Sequence, residues 1–402
     1  MPDRAEAPGS LLQRFGRRLR IGMVGGGSDS IIGSTHRHAL RADGLYDLVA
    51  GCLSVDPAIA RASAAAELLP VERSYTDWRE MARAEAARDD GVDVVTVCTP
   101  PDIHADGAAA FRAAGLDVIC EKPMTATLAQ AVALQHAVAD SWRAFLLTHC
   151  YTGYPMVRQA RAMVRDGAIG AVRLVESDFV NGAFLTEEAD PARKHWRFRP
   201  QVMGKASMLG EIASHAVNMA AFVSGLSVAA VSGELRTFVP GRETYDDGRF
   251  NLRLSGGAVG RMWVSFVAAG AEHGLRFRIF GETGSLHWDQ ERPELLVHLP
   301  AGGARRDITP GHDWLLPAGR HASRIRGGHP EGYLMAFANL YRDFAHILIA
   351  RRLGEPVDPL WTDLPTIDDG VATMRFHEAA VASSDGDGRW VALADVDRPH
   401  GP

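Results

Sequence analysis

Three groups of residues have the types and spacing that chemistry needs. The first is the apolar run Ile21-Gly22-Met23-Val24, which ends on Gly25-Gly26-Gly27. A short strand closing on glycines suits a dinucleotide pyrophosphate, because bare backbone lets N–H groups approach phosphate oxygens. The second is Val118-Ile119-Cys120, which ends on Glu121-Lys122-Pro123. A lysine closing so apolar a run falls at the carboxyl edge of a sheet, where doubly wound folds bind ligands. Its amine suits proton relay. The third is Gly210-Glu211-Ile212-Ala213-Ser214-His215, which opens an apolar helical stretch. Glu211 and His215 are four apart and share a helix face. Histidine has the ordinary pKa to take a hydroxyl proton near neutrality, and a neighbouring carboxylate can orient it. Together the groups imply nicotinamide-dependent redox chemistry with Lys122 and His215 handling a proton. Plainer readings stay open: Lys122 can pair with Glu121 on the surface, and Glu211 and Ser214 can simply cap a helix.

Other positions belong with these. The third glycine of G-x-G-x-x-G would fall at Ser30, and the next glycine is Gly33, so the turn is lengthened before the helix carrying His36 and Arg37. After the second strand, Ser54 stands where an acid commonly binds the adenosine ribose, with Asp56 two residues on. Asp56 reads equally as a helix N-cap before Pro57. Thr99-Pro100-Pro101-Asp102-x-His104 follows another strand end, where His104 either faces the cleft or is structural. Trp196-Arg197, with Lys194, His195 and Arg199, either lines a sugar site or forms a solvated loop.

The elements that position these groups follow from hydrophobic periodicity. From about residue 19 to 149, nearly continuous apolar runs (19–24, 48–53, 92–98, 116–120 and 145–149) alternate with helical stretches (35–42, 57–69, 76–88, 102–114 and 127–142). Such alternation predicts a parallel sheet with right-handed crossovers. After about residue 150 a helix (155–166) precedes strand-like runs at 172–180, 228–238, 250–254, 259–267, 275–280 and 285–288, linked by turn signals. One helix is expected at 214–223. Residues 289–329 read as a long loop region, and 331–351 and 368–383 as closing helices. The expected class is α/β: a Rossmann domain over 19–149, then an α+β domain over 150–402 with a large, mostly antiparallel open sheet. Residues 1–18 read as a flexible lead-in.

A chain of 402 residues suits two domains. A net charge of −6 gives no electrostatic case for nucleic acid or an anionic membrane. Cys52, Cys98, Cys120 and Cys150 form no C-x-x-C pair and read as reduced core thiols. The sixteen histidines lack H-E-x-x-H spacing, so no metal is expected. No apolar run approaches a membrane span. Arg17-Arg18 is followed by a run that breaks at Gly25, so export is not expected and the cytoplasm is.

In sequence order, Thr99-Pro100-x-x-x-His104, Glu121-Lys122-Pro123 and Glu211-x-x-x-His215 resemble the glucose–fructose oxidoreductase/inositol dehydrogenase/MocA (Gfo/Idh/MocA) family over about residues 20–395. Ile32-Gly33-x-x-His36-Arg37, Tyr151-Thr152-Gly153-Tyr154-Pro155, Trp196-Arg197 and His329-Pro330-Glu331-Gly332-Tyr333 are similar to a subgroup that includes levoglucosan dehydrogenase. The resemblance implies reversible oxidation of a secondary hydroxyl on a sugar, anhydrosugar or cyclitol, with NAD as cofactor and NADP also possible. It makes Lys122 and His215 catalytic, with Glu211 beside them. Gly25, Gly26, Gly27, Ile32, His36, Arg37, Ser54, Asp56, Thr99, Pro100, His104, Glu121 and Lys122 are the implied cofactor contacts. Tyr151, Trp196, Arg197, Glu211, His215 and Lys122 are the implied substrate contacts. It also implies a homodimer or homotetramer built on the C-terminal sheet, where a run such as Arg261-Met262-Trp263-Val264-Ser265-Phe266 reads as apolar residues on both faces that need a second cover. The chain departs from the family in having Glu211 for an aspartate, Pro101 for an asparagine and Cys150 for an asparagine. Glycoside cleavage through transient oxidation, and a non-catalytic ligand-binding role, are the alternatives.

Overall fold

The computed structural model describes residues 10–28, 30–139, 143–188, 190, 196–200 and 204–396. The chain forms two compact units, Met1–Gly153 with Glu331–Gly370, and Tyr154–Pro330 with Val371–Pro402.

In the first unit, β1 (Leu19–Gly25), β2 (Tyr46–Cys52), β3 (Val94–Cys98), β4 (Asp117–Cys120) and β5 (Phe145–Leu147) form a parallel sheet in the order β2-β1-β3-β4-β5. Every residue of β3 and β4 is buried. That burial is why these strands read as unbroken apolar runs instead of alternating ones. The strand order reverses between β1 and β3, the switch point at which such sheets open a ligand crevice at their carboxyl ends. Gly25 of β1 and Cys98 of β3 are register partners there.

Helices α2 (Ile31–Arg41), α3 (Pro57–Ala66), α4 (Trp78–Ala86), α5 (Pro101–Ala113) and α6 (Leu128–Ala139) connect the strands. Two of them start elsewhere than the periodicity suggests, because caps decide. Ser30 accepts from the Gly33 amide and starts α2 four residues before Thr35. Asp77, not Thr76, caps α4 by accepting from the Arg79 amide at 2.8 Å.

The amino edge of this sheet is locked by charge. Arg17 grips Asp93 through two bonds of 2.6 and 2.9 Å, and Arg352 reaches Asp117 at 2.7 Å. Burial alone would raise the Asp93 carboxyl pKa, but the Arg17 hydrogen bond and the Arg20 amide hold it below the ordinary range. The supposed flexible lead-in is therefore structured from Ser10 onward. It contains helix α1 (Leu11–Phe15), capped by Ser10 and followed by the anchored Arg17; residues 1–9 lie outside the described residues.

A late helix, Gly332–Leu353, also packs within this unit. It is numbered α10 here, since α7 (Pro155–Arg165), α8 (Ser214–Ser224) and α9 (Pro317–Ala322) precede it. The Tyr46 hydroxyl donates to the Tyr341 carbonyl at 2.8 Å, and the Asn339 amide donates to the Gly153 carbonyl at 2.9 Å. The first compact unit therefore draws on two separated segments, where the sequence suggested a division near residue 150.

The second unit holds a nine-stranded sheet in the order β13-β12-β11-β10-β6-β9-β8-β7-β14. Its central strands are β6 (Val172–Val180), β7 (Val228–Arg236), β8 (Asp247–Leu254), β9 (Val259–Ser265), β10 (Gly274–Gly281) and β11 (Gly284–Asp289). All pairings are antiparallel except β6 with β9. The stretch 289–329, expected as loop, contributes β12 (Leu296–Pro300), β13 (Arg306–Ile308) and α9. Leu296 and Ile308 are buried register partners, a signal too short to stand out among the surrounding prolines and glycines. β14 (Val391–Ala392) closes the far edge, after helix α11 (Ile367–Asp385).

The two faces of this sheet differ in chemistry. Phe179, Phe277, Met262, Phe250 and Leu286 are buried. Their alternate neighbours form a charged ladder: Arg261–Glu176 at 2.8 Å, Arg276–Asp178 at 3.0 Å and Arg278–Glu176 at 3.5 Å. The expectation of apolar residues on both faces is corrected here. In Arg261-Met262-Trp263-Val264, period-2 alternation buries Met262 and Val264 and leaves Arg261 exposed.

Candidate active site and cofactor cradle

The first unit supplies a cradle at the switch point. Gly25 and Gly26 have φ of 76° and 73°, a left-handed conformation that glycine adopts without steric cost. A Cβ on Gly25 would lie 2.8 Å from the Cys98 carbonyl oxygen. Gly33, in the first turn of α2, approaches still more closely: a Cβ there would lie 2.2 Å from the Gly26 oxygen. Gly33 thus does what the third glycine of the fingerprint does, packing the helix against the turn. From the sequence its displaced position is visible, but not this role. Ser30-x-x-Gly33, a cap followed by a small residue, was the available signal.

The expected cofactor residues divide by position. Gly25, Gly26 and Gly27 form the turn, and Ile32 is half-buried in the first turn of α2. Arg37 braces the turn by donating to the Gly26 carbonyl and pairing with Glu67 at 2.8 Å. His36 points inward and is fully buried. Ser54 accepts from the Asp56 amide at 3.1 Å. Asp56 caps α3 through Oδ1, accepting from the Ala58 and Ile59 amides at 2.7 and 3.1 Å. Thr99 and Pro100 continue from β3 to the start of α5 at the crevice. The His104 ring lies between the Pro123 and Thr99 carbonyls, at 2.8 and 2.7 Å. The ring thus spans the ends of β3 and β4, one nitrogen donating to a carbonyl and the other facing one, and burial is the main cause of its lowered pKa.

Lys122 follows β4 at this same carboxyl edge and is half-buried. Its backbone amide donates to Glu121 Oε2 at 2.8 Å. Glu121 is buried, which by itself would raise its pKa. His36, the Lys122 charge and the Thr148 hydroxyl outweigh that and keep the carboxyl below the ordinary range. The surface pairing considered for Lys122 and Glu121 does not describe this carboxylate, which is turned inward. Nearby, Tyr151 is buried with its ring 6.0 Å from that of Tyr333. Tyr333, Tyr341 and Thr148 are neighbours that the sequence does not mark as site residues. Tyr333 closes the His329–Tyr333 motif without being a site candidate, Tyr341 lies outside every motif, and Thr148 sits at a strand end that reads as core.

In the second unit, Leu209–Ala213 forms a wide π-type turn that runs directly into α8. Such turns leave carbonyls without their helical partners and are frequent at functional sites. Here the Ser214 hydroxyl donates to the Gly210 carbonyl at 2.8 Å. The buried His377, its pKa pushed down to about 3 by desolvation, engages the Leu209 backbone. The turn sets out Glu211 and His215. His215 is 5 % exposed, with its ring 6.0 Å from Phe179. Glu211 pairs with Arg197 Nε at 2.7 Å. Trp196 and Arg197 belong to a short helical turn, Trp196–Phe198; Lys194 and His195 lie outside the described residues.

Comparison with known proteins bears on both units. The model of the oxidoreductase family, NAD-binding Rossmann fold, matches residues 19–149, and that of the GFO/IDH/MocA C-terminal domain matches residues 157–287. The chain belongs to the Gfo/Idh/MocA family. An oxidoreductase structure from Sinorhizobium meliloti is 41% identical, covering 93% of this chain and 99% of its own, with a TM-score of 0.84. An inositol dehydrogenase homologue from Azotobacter vinelandii, solved with NAD+, is 34% identical over 94% of this chain and 98% of its own, with a TM-score of 0.88. Levoglucosan dehydrogenase of Pseudarthrobacter phenanthrenivorans is 29% identical, the match covering 91% of this chain and 98% of that protein. As a member of this family, the chain is an NAD-dependent oxidoreductase with a Rossmann domain. The turn fits that cofactor: the absence of side chains at Gly25, Gly26 and Gly33 lets it close tightly against the end of β3 and the start of α2, the geometry of a pyrophosphate-binding turn.

Two substitutions test this geometry. Gly33→Ala forces a methyl against the Gly26 carbonyl, and such overpacking costs roughly 1–3 kcal/mol. The expected result is a lower melting temperature together with weaker NADH binding by calorimetric titration. Glu211→Asp withdraws the carboxylate from Arg197 by roughly 1.5 Å. The expected result is a lower kcat/KM, since misplacement of about 1 Å can cost ~10²-fold. A variant equal to wild type would make Glu211 a helix-end residue only.

Proposed function

We propose that the protein reversibly oxidises a secondary hydroxyl of a sugar, anhydrosugar or cyclitol, with NAD preferred to NADP. The observation that carries this reading is Lys122, placed at the carboxyl edge of β4 and held there through its amide by a buried, ionised Glu121. Gly25, Gly26, Gly27 and Ile32 at the turn, with Ser54, Asp56, Thr99 and Pro100 at the strand ends, would hold the cofactor. His36, Arg37, His104 and Glu121 support those ends from behind. When bound, the nicotinamide accepts the carbon-bound hydride.

The chain's own part is binding and proton handling. His215 takes the hydroxyl proton, and its buried position on a braced turn favours a fixed ring orientation. Lys122 donates to the reacting oxygen and relays the proton. Glu211 and Arg197, already paired, address neighbouring hydroxyls. Tyr151 and Trp196 complete the substrate contacts. The relatives named above as inositol dehydrogenase homologue and levoglucosan dehydrogenase support polyol and anhydrosugar substrates.

The decisive experiment is a panel of monosaccharides, anhydrosugars and inositols with NAD and NADP, followed by absorbance of the reduced cofactor. Net NADH formation on at least one polyol is expected. Release of an aglycone without net NADH would assign transient oxidation instead. Positioned proton transfer is worth about 10²–10⁴-fold, so Lys122→Ala and His215→Ala should each lower kcat by that order. His215→Ala should also remove an ionisation from the pH–rate profile. Near-wild-type kcat in either variant would remove that residue from the mechanism.

The charged outer face of the nine-stranded sheet, with half-exposed Leu174 and Val259 among its ion pairs, supports a homodimer or homotetramer built on that face. Opposed copies of such a mixed-sign ladder can be self-complementary. Light scattering at micromolar concentration should give a multiple of 43.4 kDa, and a monomeric mass would refute the assembly. No helix among the described residues is long and apolar enough to cross a membrane. The four cysteines are free and buried, which supports a reducing compartment, the cytoplasm.

A further inference from the structure

Five side chains from five parts of the chain meet inside the first unit: Thr96 on β3, Tyr341 on α10, His36 on α2, Glu121 after β4 and Thr148 after β5. None is more than 6 % exposed. A cluster of buried polar groups is costly unless each finds a partner. Glu121 is the group that sets the demand. An ionised carboxylate only accepts hydrogen bonds. It accepts from Thr148 Oγ1 at 2.6 Å and from the Lys122 amide at 2.8 Å. The third group facing it is His36 Nε2, at 3.3 Å from Oε1. That contact is long and poorly aligned for a hydrogen bond, yet Nε2 has no hydrogen-bond partner among the described residues.

The chain of contacts has one consistent direction for a neutral imidazole. Facing a carboxylate, Nε2 must carry the ring proton, which leaves Nδ1 as the acceptor. The Tyr341 hydroxyl stands 2.7 Å from Nδ1 and must therefore donate. Burial pushes the Tyr341 pKa well up, so the phenol keeps its proton. Its oxygen then accepts from Thr96 Oγ1 at 2.9 Å. Donation runs from Thr96 to Tyr341 and on to His36, whose Nε2–H then faces the Glu121 carboxylate.

We propose that Tyr341 is a positioning residue for Lys122: its hydroxyl fixes His36 as the Nε2–H tautomer, which steadies Glu121 and, through Glu121, the backbone of Lys122. This rests on the reading that Lys122 does chemistry. Without the hydroxyl, Nδ1 is buried beside a hydrocarbon ring. The proton then has less reason to stay on Nε2, and a bare nitrogen lone pair faces the carboxylate.

The test is Tyr341→Phe, which keeps the ring and leaves intact the bond from Tyr46 to the residue 341 carbonyl. By the cost of misplacing a reacting group, kcat should fall roughly 10–100-fold while the NADH dissociation constant changes less than about 2-fold. Ring nitrogen NMR should show His36 as Nε2–H in the wild type and displaced from it in the variant. In a Lys122→Ala background, Tyr341→Phe should cause no further loss, since coupled residues are non-additive. If Lys122→Ala keeps its turnover, the reading of Lys122 fails. If Lys122→Ala is inactive but Tyr341→Phe has wild-type kcat and an unchanged His36 tautomer, only the positioning role fails. Should Tyr341→Phe not fold, an Nδ1–H ring in the wild-type spectrum refutes the proposal by itself.

Discussion

A carboxylate buried in the interior, Glu121, constrains the architecture around it more than any other group. It cannot stay ionised there without donors on every side. Support comes from three directions: the Thr148 hydroxyl after β5 and the Lys122 amide next to it in sequence donate to it, and the His36 ring, from the helix that follows the glycine turn, faces it at 3.3 Å. Satisfying one charge therefore fixes the ends of two strands and the seating of α2. Helix α10 is drawn in by the same demand, because Tyr341 lies against His36 and Thr96. A hydrophobic residue at position 121 would cost less to bury, but it would not hold the amide of the lysine that follows.

The two edges of the parallel sheet are built on opposite terms. At the amino edge, Arg17, Arg352, Asp93 and Asp117 are spent on one another, and the result is attachment of α1 and α10 to the sheet. At the carboxyl edge, polar side chains brace backbone: Arg37 holds the Gly26 carbonyl, His104 lies between two strand ends, and Asp56 caps α3. Bracing leaves the glycine turn and the lysine in place without filling the crevice. The division follows the general rule that such sheets bind ligands beyond their carboxyl ends.

In the second unit the scaffold is a broad sheet with one apolar face, and the reactive candidates sit on a helix beginning, not on a strand. The π-type turn before α8 costs regular helical hydrogen bonds. Ser214 and His377 compensate by engaging the carbonyls of Gly210 and Leu209. A turn held from two sides can present Glu211 and His215 with little freedom, which is what positioned proton transfer needs. The Glu211 carboxylate reaches Arg197 at 2.7 Å.

Local chemistry made much of this legible from the residues alone. Buried strands have to read as apolar runs, so β1 to β5 and their alternation with helices were visible, as were the lysine that breaks the run at β4 and the alternating strands of the second unit. Glycines at a strand end announced a tight turn, because few other residues accept its dihedrals. Partners remote in sequence were not legible. Nothing near Tyr341 marks it as the neighbour of His36, and nothing in residues 331–353 says that this helix packs in the first unit. Short pieces also escaped: α1, β12, β13 and α9 are too brief for periodicity to show, and capping by Ser30 and Asp77 moved helix starts that propensity had placed elsewhere. Whether Asp56 and His104 would serve as caps and braces was open from sequence, because the same atoms suit either use. The fold shows the cap and the brace, by placing amides and carbonyls within 3.1 Å of them. Sequence determines which groups exist and which face they take; tertiary packing determines which of them meet, because the hydrogen bonds that orient a side chain close over hundreds of residues.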